Sequence, residues 1–331
     1  MAKSGRAPQP GKRRGISVAL TGATGKLGAA LLSRLLASRD VYSVVAFDAK
    51  APGPTHPKLH FQPVDLTATS ADRTIAEALA EHRVEAMAHL PLLSGPADPA
   101  YAHEVEAIGS LRVLAGLGPS AVKRVVVAST TSVYGASPQN PNHLDESRPL
   151  VARARSRYLR DKVEMEKQVQ AFREAHPDRT VTVLRFPPIV GPGVYDPFAS
   201  FLERRFAARI SGFDPLVQVV HVDDALDALE RALGSAWPGT YNVGSRGVLP
   251  LSAILKCAGV HAVPLPYLGT EGAVKLTNAV GLTRTPPALL EYVRHTYVAD
   301  LRKAERAGFA ARHTIGEALE AFAEHRQAAR S

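Results

Sequence analysis

Apolar and polar positions alternate along the chain in blocks of two lengths. Residues 16–20 form an apolar run of strand length interrupted only by Ser17, and residues 27–36 return to apolar positions at helical spacing. The alternation then repeats. Residues 41–47 predict a second strand, 59–64 a third, 69–81 a helix and 84–90 a fourth strand. A helix over 101–117 comes next, with Val105, Ile108, Leu111 and Leu114 on one face. The β-branched stretch 124–128 predicts a fifth strand, 158–174 a further long helix and 181–186 a sixth strand. Runs that are apolar throughout, separated by helices, predict a parallel sheet covered on both faces. Residues 136–157, rich in Pro, Asn and Arg, predict a loop across the sheet's carboxyl edge. Ligands of such sheets sit beyond the carboxyl ends of the strands, so Gly22, Asp48, Asp65, His89 and Ser129 are expected around one crevice.

The first strand leads into Thr21-Gly22-Ala23-Thr24-Gly25-Lys26-Leu27-Gly28, and the helical pattern leads out of it. A strand, a glycine-rich turn and a helix present backbone N–H groups and the positive end of a helix dipole to an anion such as a dinucleotide pyrophosphate. The spacing is G-x-x-G-x-x-G, a variant of the general G-x-G-x-x-G fingerprint. Glycine turns also serve purely structural ends, so Asp48, twenty residues beyond Gly28 at the end of the second strand, matters. An acid there hydrogen-bonds the adenosine ribose hydroxyls and repels a 2′-phosphate, selecting NAD over NADP; Lys50 alone pulls the other way. The pattern predicts a doubly wound α/β (Rossmann) domain that binds NAD.

At 331 residues the chain can hold such a domain and a smaller C-terminal substrate lobe. A hydrophobic content of 45% and a charged content of 21% fit a soluble globular protein. The single cysteine, Cys257, rules out an internal disulfide, fits a reducing compartment, and is expected as a small buried hydrophobe. No apolar stretch reaches the roughly 18 to 20 residues of a membrane span. The basic N-terminus has no apolar segment behind it, so the cytoplasm is expected and a membrane partner is not. Residues 1–15 carry Lys3, Arg6, Lys12, Arg13 and Arg14 and no acid, which takes five from the net charge of +9 and leaves +4. That segment predicts a disordered basic tail, and without interleaved aromatic residues no nucleic-acid partner is expected. The arginines at 148, 153, 155, 157 and 160 predict a solvated basic loop rather than a phosphate clamp. The twelve histidines show no metal-ligand spacing, and no metal is expected.

Candidate chemistry lies at the end of the fifth strand and on the next helix. Ser129-Thr130-Thr131-Ser132-Val133-Tyr134-Gly135 sets hydroxyls at a strand's carboxyl end, and Tyr158 and Lys162 stand four apart on one helix face. A lysine there lowers a phenol's pKa from its usual value near ~10, and a hydroxyl opposite can bind the substrate oxygen. Together they suit proton exchange with an alcohol–ketone pair, matched to hydride transfer at a nicotinamide. A Tyr-x-x-x-Lys pair on its own is also a common surface feature.

Further motifs come in order: Asp65-Leu66, His89-Leu90, Leu184-Arg185-Phe186-Pro187, Gly191-Pro192, His221 to Asp224, and Gly239-Thr240-Tyr241-Asn242-Val243-Gly244. With the glycine turn, Asp48 and the Tyr158/Lys162 pair, they resemble the extended short-chain dehydrogenase/reductases, in the NAD-dependent epimerase/dehydratase branch. The resemblance implies Thr130, Tyr158 and Lys162 as the catalytic set. It implies cofactor contacts at Gly22, Gly25, Lys26, Leu27, Gly28, Asp48, Asp65, Leu66, His89, Leu90 and Lys162. It also implies an NAD-binding domain over 16–186, to which 221–244 returns, a substrate-binding lobe over 187–220 and 245–331, and a strand-to-helix turn with aspartate capping at His221-Val222-Asp223-Asp224. Gly212-Phe213-Asp214-Pro215 and Tyr297-Val298-Ala299-Asp300 are similar to bacterial UDP-glucose 4-epimerase-like members.

Several positions depart from that family's pattern. Pro187-Pro188 stands where sugar-nucleotide epimerases usually carry an asparagine that helps hold the diphosphate. Thr131-Ser132 replaces the Asp-Glu of the dehydratases, which sets dehydration aside. Glu106 replaces the usual asparagine on the helix before the fifth strand, and Pro91 replaces a small residue. The expected activity is an NAD-dependent epimerase or oxidoreductase acting on a secondary alcohol, with a nucleotide sugar such as a UDP-sugar as the leading small-molecule substrate and a homodimer as one candidate assembly. An NAD(P)H-dependent reductase of a non-sugar carbonyl, and a non-catalytic NAD-binding sensor or scaffold, are the alternatives.

Overall fold

The computed structural model describes residues 15–53, 55–91, 98–151, 157–192, 197–267, 269–281 and 290–328. The tail over 1–14, Arg153, Arg155 and the side chain of Tyr158 lie outside the described residues.

In order, the first half runs β1 (Ile16–Thr21), α1 (Lys26–Ala37), β2 (Val41–Asp48), β3 (Leu59–Pro63), α2 (Ala71–Glu81), β4 (Ala86–His89), α3 (Pro99–His103), α4 (Gly109–Leu117), β5 (Arg124–Thr130), α5 (Arg157–Ala175) and β6 (Thr180–Phe186). The second half runs β7 (Ile189–Val190), α6 (Pro197–Leu202), β8 (Phe206–Ile210), β9 (Leu216–Val217), β10 (Val220–His221), α7 (Val222–Gly234), β11 (Gly239–Asn242), β12 (Leu249–Pro250), α8 (Leu251–Cys257), β13 (His261–Leu265), α9 (Thr270–Ala279), α10 (Arg302–Arg306) and α11 (Ile315–Ala328).

Seven strands form the main sheet in the order β11-β6-β5-β4-β1-β2-β3, all neighbours parallel. The winding reverses between β1 and β4, which opens a ligand crevice at their carboxyl ends. Alternate residues of β1 serve the two faces. Val18 and Leu20 join Leu31 and Leu35 of α1 and Leu226 and Leu229 of α7. Ala19 joins Ile75 of α2, Leu114 of α4 and Met165 of α5. Strands with both faces covered must be apolar throughout, which is the pattern the sequence shows.

After β6 the chain leaves the sheet, then returns through α7 and β11, where Gly239 to Asn242 pair with Thr182 to Arg185. A second apolar cluster gathers Phe201 and Leu202 of α6, Ile254 of α8 and Leu319 and Phe322 of α11. The loop segment 136–151 is tied to the C-terminal segment, with Leu144 N–H donating to Val298 O at 2.8 Å and Asp300 N–H to Leu144 O at 2.9 Å.

Two expectations need correction. The helix expected over 101–117 is interrupted by a π-helical turn, Glu104–Ile108, between α3 and α4. The extra residue of such a turn rotates α4 relative to α3, and apolar spacing does not record it. Cys257 is exposed rather than buried. The inward stripe of α8 is Leu251, Ile254 and Leu255, and Cys257 falls off that phase.

Candidate functional site

The crevice begins at the turn after β1. Gly22 has φ +72°, and a Cβ there would lie 2.8 Å from Leu90 O. A Cβ on Gly28 would lie 1.9 Å from Gly22 O, so helix and turn touch backbone to backbone. Gly25 caps α1 without any side-chain cap bond, and the first turn carries no acid. The N–H groups of Lys26, Leu27 and Gly28 therefore precede the intrahelical ladder at the positive end of the dipole, a fit for an anion. Asp48 closes the far side: its Oδ2 accepts from Thr24 N–H at 2.9 Å and its Oδ1 from Lys50 N–H at 3.4 Å. Asp65 is exposed beyond β3, accepting from Thr67 N–H at 2.8 Å, and Leu66 O accepts from Arg112 at 2.6 Å. The glycine turn and Asp48 are thus in contact, while Asp65 and Leu66 lie further along the sheet edge against α4.

His89, at the end of β4, is fully buried and held in a chain of bonds whose direction can be worked out. Ser110 Oγ donates to Glu106 O, so it must accept from His89 Nε2–H across 2.8 Å. The unprotonated Nδ1 then accepts from Thr21 Oγ at 2.7 Å, and Thr21 Oγ accepts from Leu90 N–H at 3.3 Å. Burial together with the nearby Lys162 charge pushes the His89 pKa down to about 3, which keeps this imidazole neutral. Both ring nitrogens are taken by protein hydroxyls. The imidazole braces the glycine turn against the π turn.

Lys162 is wholly buried, its Nζ 3.1 Å from Glu106 Oε1, which is itself only 4% exposed. The ammonium also donates to Pro91 O. Sequence reasoning placed Lys162 correctly on the helix but missed this pairing. Glu106 registered there only as a replaced asparagine, because a lone acid between Val105 and Ala107 reads as an ordinary helix residue. Tyr158 belongs to the first turn of α5, one helical turn before Lys162.

Thr130 ends β5 half-buried, and its Oγ1 accepts from Ser132 N–H at 3.2 Å, which leaves the hydroxyl proton for donation. Beneath it runs a second buried network. Ser129 Oγ donates to Glu166 Oε1 at 2.5 Å. Arg185 donates to Glu166 through Nη2 at 2.6 Å and Nε at 3.0 and 3.1 Å, and through Nη1 to Tyr134 OH at 2.8 Å. Tyr134 in turn donates to Asn242 Oδ1 at 2.7 Å. Burial pushes the Tyr134 pKa up to about 12, against the pull of Arg185. Tyr134 is therefore a poor acid–base group near neutrality, and α5 carries the better candidate.

Among the described residues, His221, Asp223 and His313 are the one group close enough to suggest a metal. Several of their ligand atoms already have partners: His221 Nδ1 accepts from Asp223 N–H at 3.1 Å, Asp223 Oδ1 accepts from Arg34 at 2.6 Å, and His313 Nδ1 lies 3.1 Å from Asp224 Oδ2. The expected aspartate cap is thus a histidine cap. The buried Asp224 accepts instead from the N–H groups of Arg312 at 2.8 Å and His313 at 3.1 Å. Among the described residues no helix is long and apolar enough to cross a membrane.

Comparison with known proteins agrees with this geometry. Residues 18–244 match the profile of the NAD dependent epimerase/dehydratase family. An uncharacterized protein of Mycobacterium tuberculosis is 29% identical over 92% of this chain and 82% of its own length. The UDP-glucose 4-epimerase of Mycolicibacterium smegmatis is 29% identical over 75% of this chain and 82% of its own. The solved structure of MoeE5 in complex with UDP-glucuronic acid and NAD superposes with a TM-score of 0.72 at 25% identity, covering 95% of this chain and 99% of that one.

Proposed function

The chain belongs to the NAD-dependent epimerase/dehydratase family of enzymes, and on that premise we propose that it binds NAD and oxidises a secondary alcohol of a nucleotide sugar reversibly, as an epimerase or oxidoreductase. The observation that carries the reading is the junction of the glycine turn, its side-chain-free helix start and the Asp48 carboxylate held 2.9 Å from Thr24 N. The first-turn N–H groups of α1 would hold the pyrophosphate, and Asp48 the adenosine ribose. Residues 16–186 with 221–244 would form the cofactor unit, and 187–220 with 245–331 the substrate lobe.

Tyr158 takes the substrate's hydroxyl proton, Thr130 donates a hydrogen bond that orients the reacting oxygen, and Lys162 holds the ribose. When bound, the nicotinamide supplies a hydride acceptor, which an epimerase uses again in reverse on the opposite face. The single cysteine suits a cytoplasmic enzyme, and the assembly proposed is a homodimer.

A second reading has one observation behind it. Pro187-Pro188 stands where the sugar-nucleotide epimerases usually carry an asparagine, and a proline has no side-chain donor to offer a diphosphate. A reductase of a non-sugar carbonyl would not need one. The two readings separate on the purified protein. Copurified NAD that becomes reduced on addition of UDP-glucose or UDP-galactose supports the first. An empty protein that consumes NADH with a ketone, and ignores UDP-hexoses, overturns it.

A further inference from the structure

We propose that Glu106 is a positioning residue that sets the charge of the cofactor crevice, holding the Lys162 ammonium in a neutral pair so that the site accepts the cationic, oxidised nicotinamide. The inference rests on the NAD reading above.

The placement of Glu106 is built in from several sides. It sits in the π turn Glu104–Ile108, which aims it at α5. Its backbone carbonyl ends the chain that runs from Thr21 through His89 and Ser110. Its carboxylate therefore keeps a fixed station relative to the glycine turn. The Lys162 side chain is 0% exposed and Glu106 Oε1 lies 3.1 Å from its Nζ. A buried ammonium is strongly disfavoured unless a counter-charge and hydrogen bonds compensate it, and Glu106 and Pro91 O supply both.

The consequence concerns the ligand. Oxidised and reduced nicotinamide dinucleotides differ by one positive charge on the ring. In a poorly screened site an isolated ammonium would disfavour the oxidised form, and an isolated carboxylate would favour it. The Glu106–Lys162 pair cancels both, so Lys162 can serve the ribose without repelling the ring.

The test is a set of dissociation constants for NAD⁺ and NADH with the full chain and three variants: Glu106→Gln, Lys162→Met and the double variant. Glu106→Gln should raise the ratio of the NAD⁺ constant to the NADH constant by about tenfold, and Lys162→Met should lower it by about as much. The double variant should return to within about threefold of wild type. A purely structural role would weaken both ligands together and would not move the ratio in opposite directions. Should Glu106→Gln fail to fold, Lys162→Met and the double variant still differ only by the carboxylate, and the ratio must be higher in the double. Ratios that stay put, or move the same way in both single variants, overturn the inference while leaving NAD binding intact. A wild-type protein that binds neither form overturns it together with the proposed function.

Discussion

Glu166→Gln tests whether the floor of the site is held by a buried ion pair. Arg185 and Glu166 are 6% and 4% exposed, with Nη2 and Oε2 2.6 Å apart. The carboxylate accepts from two guanidinium nitrogens and from Ser129 Oγ. A glutamine keeps one oxygen but replaces the other acceptor with an NH₂ that the guanidinium cannot use, and leaves the guanidinium buried without its counter-charge. Removing one partner of such a pair costs about 3 to 5 kcal/mol. At about 2.1 cal/mol/K per residue, the 331-residue chain unfolds with an entropy near ~0.7 kcal/mol/K. The loss should therefore appear as a fall in Tm of about 4 to 7 °C by scanning calorimetry. Arg185→Met alone should cost a similar amount, because it strands the carboxylate. The double variant should cost clearly less than the two combined, since neither charge is then left alone. A Glu166→Gln protein that melts within about 1 °C of wild type, or single effects that simply add, would refute the reasoning.

Tyr158→Phe should lower turnover by about 10² to 10⁴ while NAD affinity holds; wild-type turnover would place the proton-transfer group elsewhere. Asp48→Ala should raise the dissociation constant for NAD much more than that for NADP, read by titration calorimetry, and parallel changes would remove Asp48 from the ribose. His89 gives a pH signature: its folded pKa of about 3 lies below the ordinary 6.5, so the unfolded chain takes up a proton that the folded chain refuses. As the pH is lowered from 6.5 toward 3, stability should fall by about 1.4 kcal/mol per pH unit on account of this group. His89→Leu, although less stable at neutral pH, should show a slope shallower by about one proton in urea titrations; an unchanged slope sinks the assignment.

The sheet was legible because each strand of a doubly covered parallel sheet must be apolar along its whole length. The glycine turn was legible because its geometry tolerates no Cβ at Gly22 or Gly28. Glu106 was not legible as a partner of Lys162. The contact joins residues 56 positions apart and depends on a one-residue rotation in the π turn, which leaves no mark on hydrophobic spacing. His89 was visible as the end of a strand, but its saturation by Thr21 and Ser110 comes from three separate segments meeting. Cys257 could have been read correctly from the phase of Leu251, Ile254 and Leu255, whereas cysteine's general tendency to be buried pointed the other way.

The late return of α7 and β11 to the sheet has a consequence for how the protein is made. Synthesis delivers β1 to β6 in order, yet the outer edge of β6 has no strand beside it until Gly239–Asn242 has left the ribosome. The face that includes Val126, Ala128 and Leu184 waits likewise for Leu226 and Leu229. A nascent chain thus carries an open strand edge beside an uncovered apolar surface while the whole of 187–221 is still being added, the combination that invites misassociation. Folding of this sheet is therefore gated by translation well past its sixth strand, and a chain released before residue 239 cannot complete it.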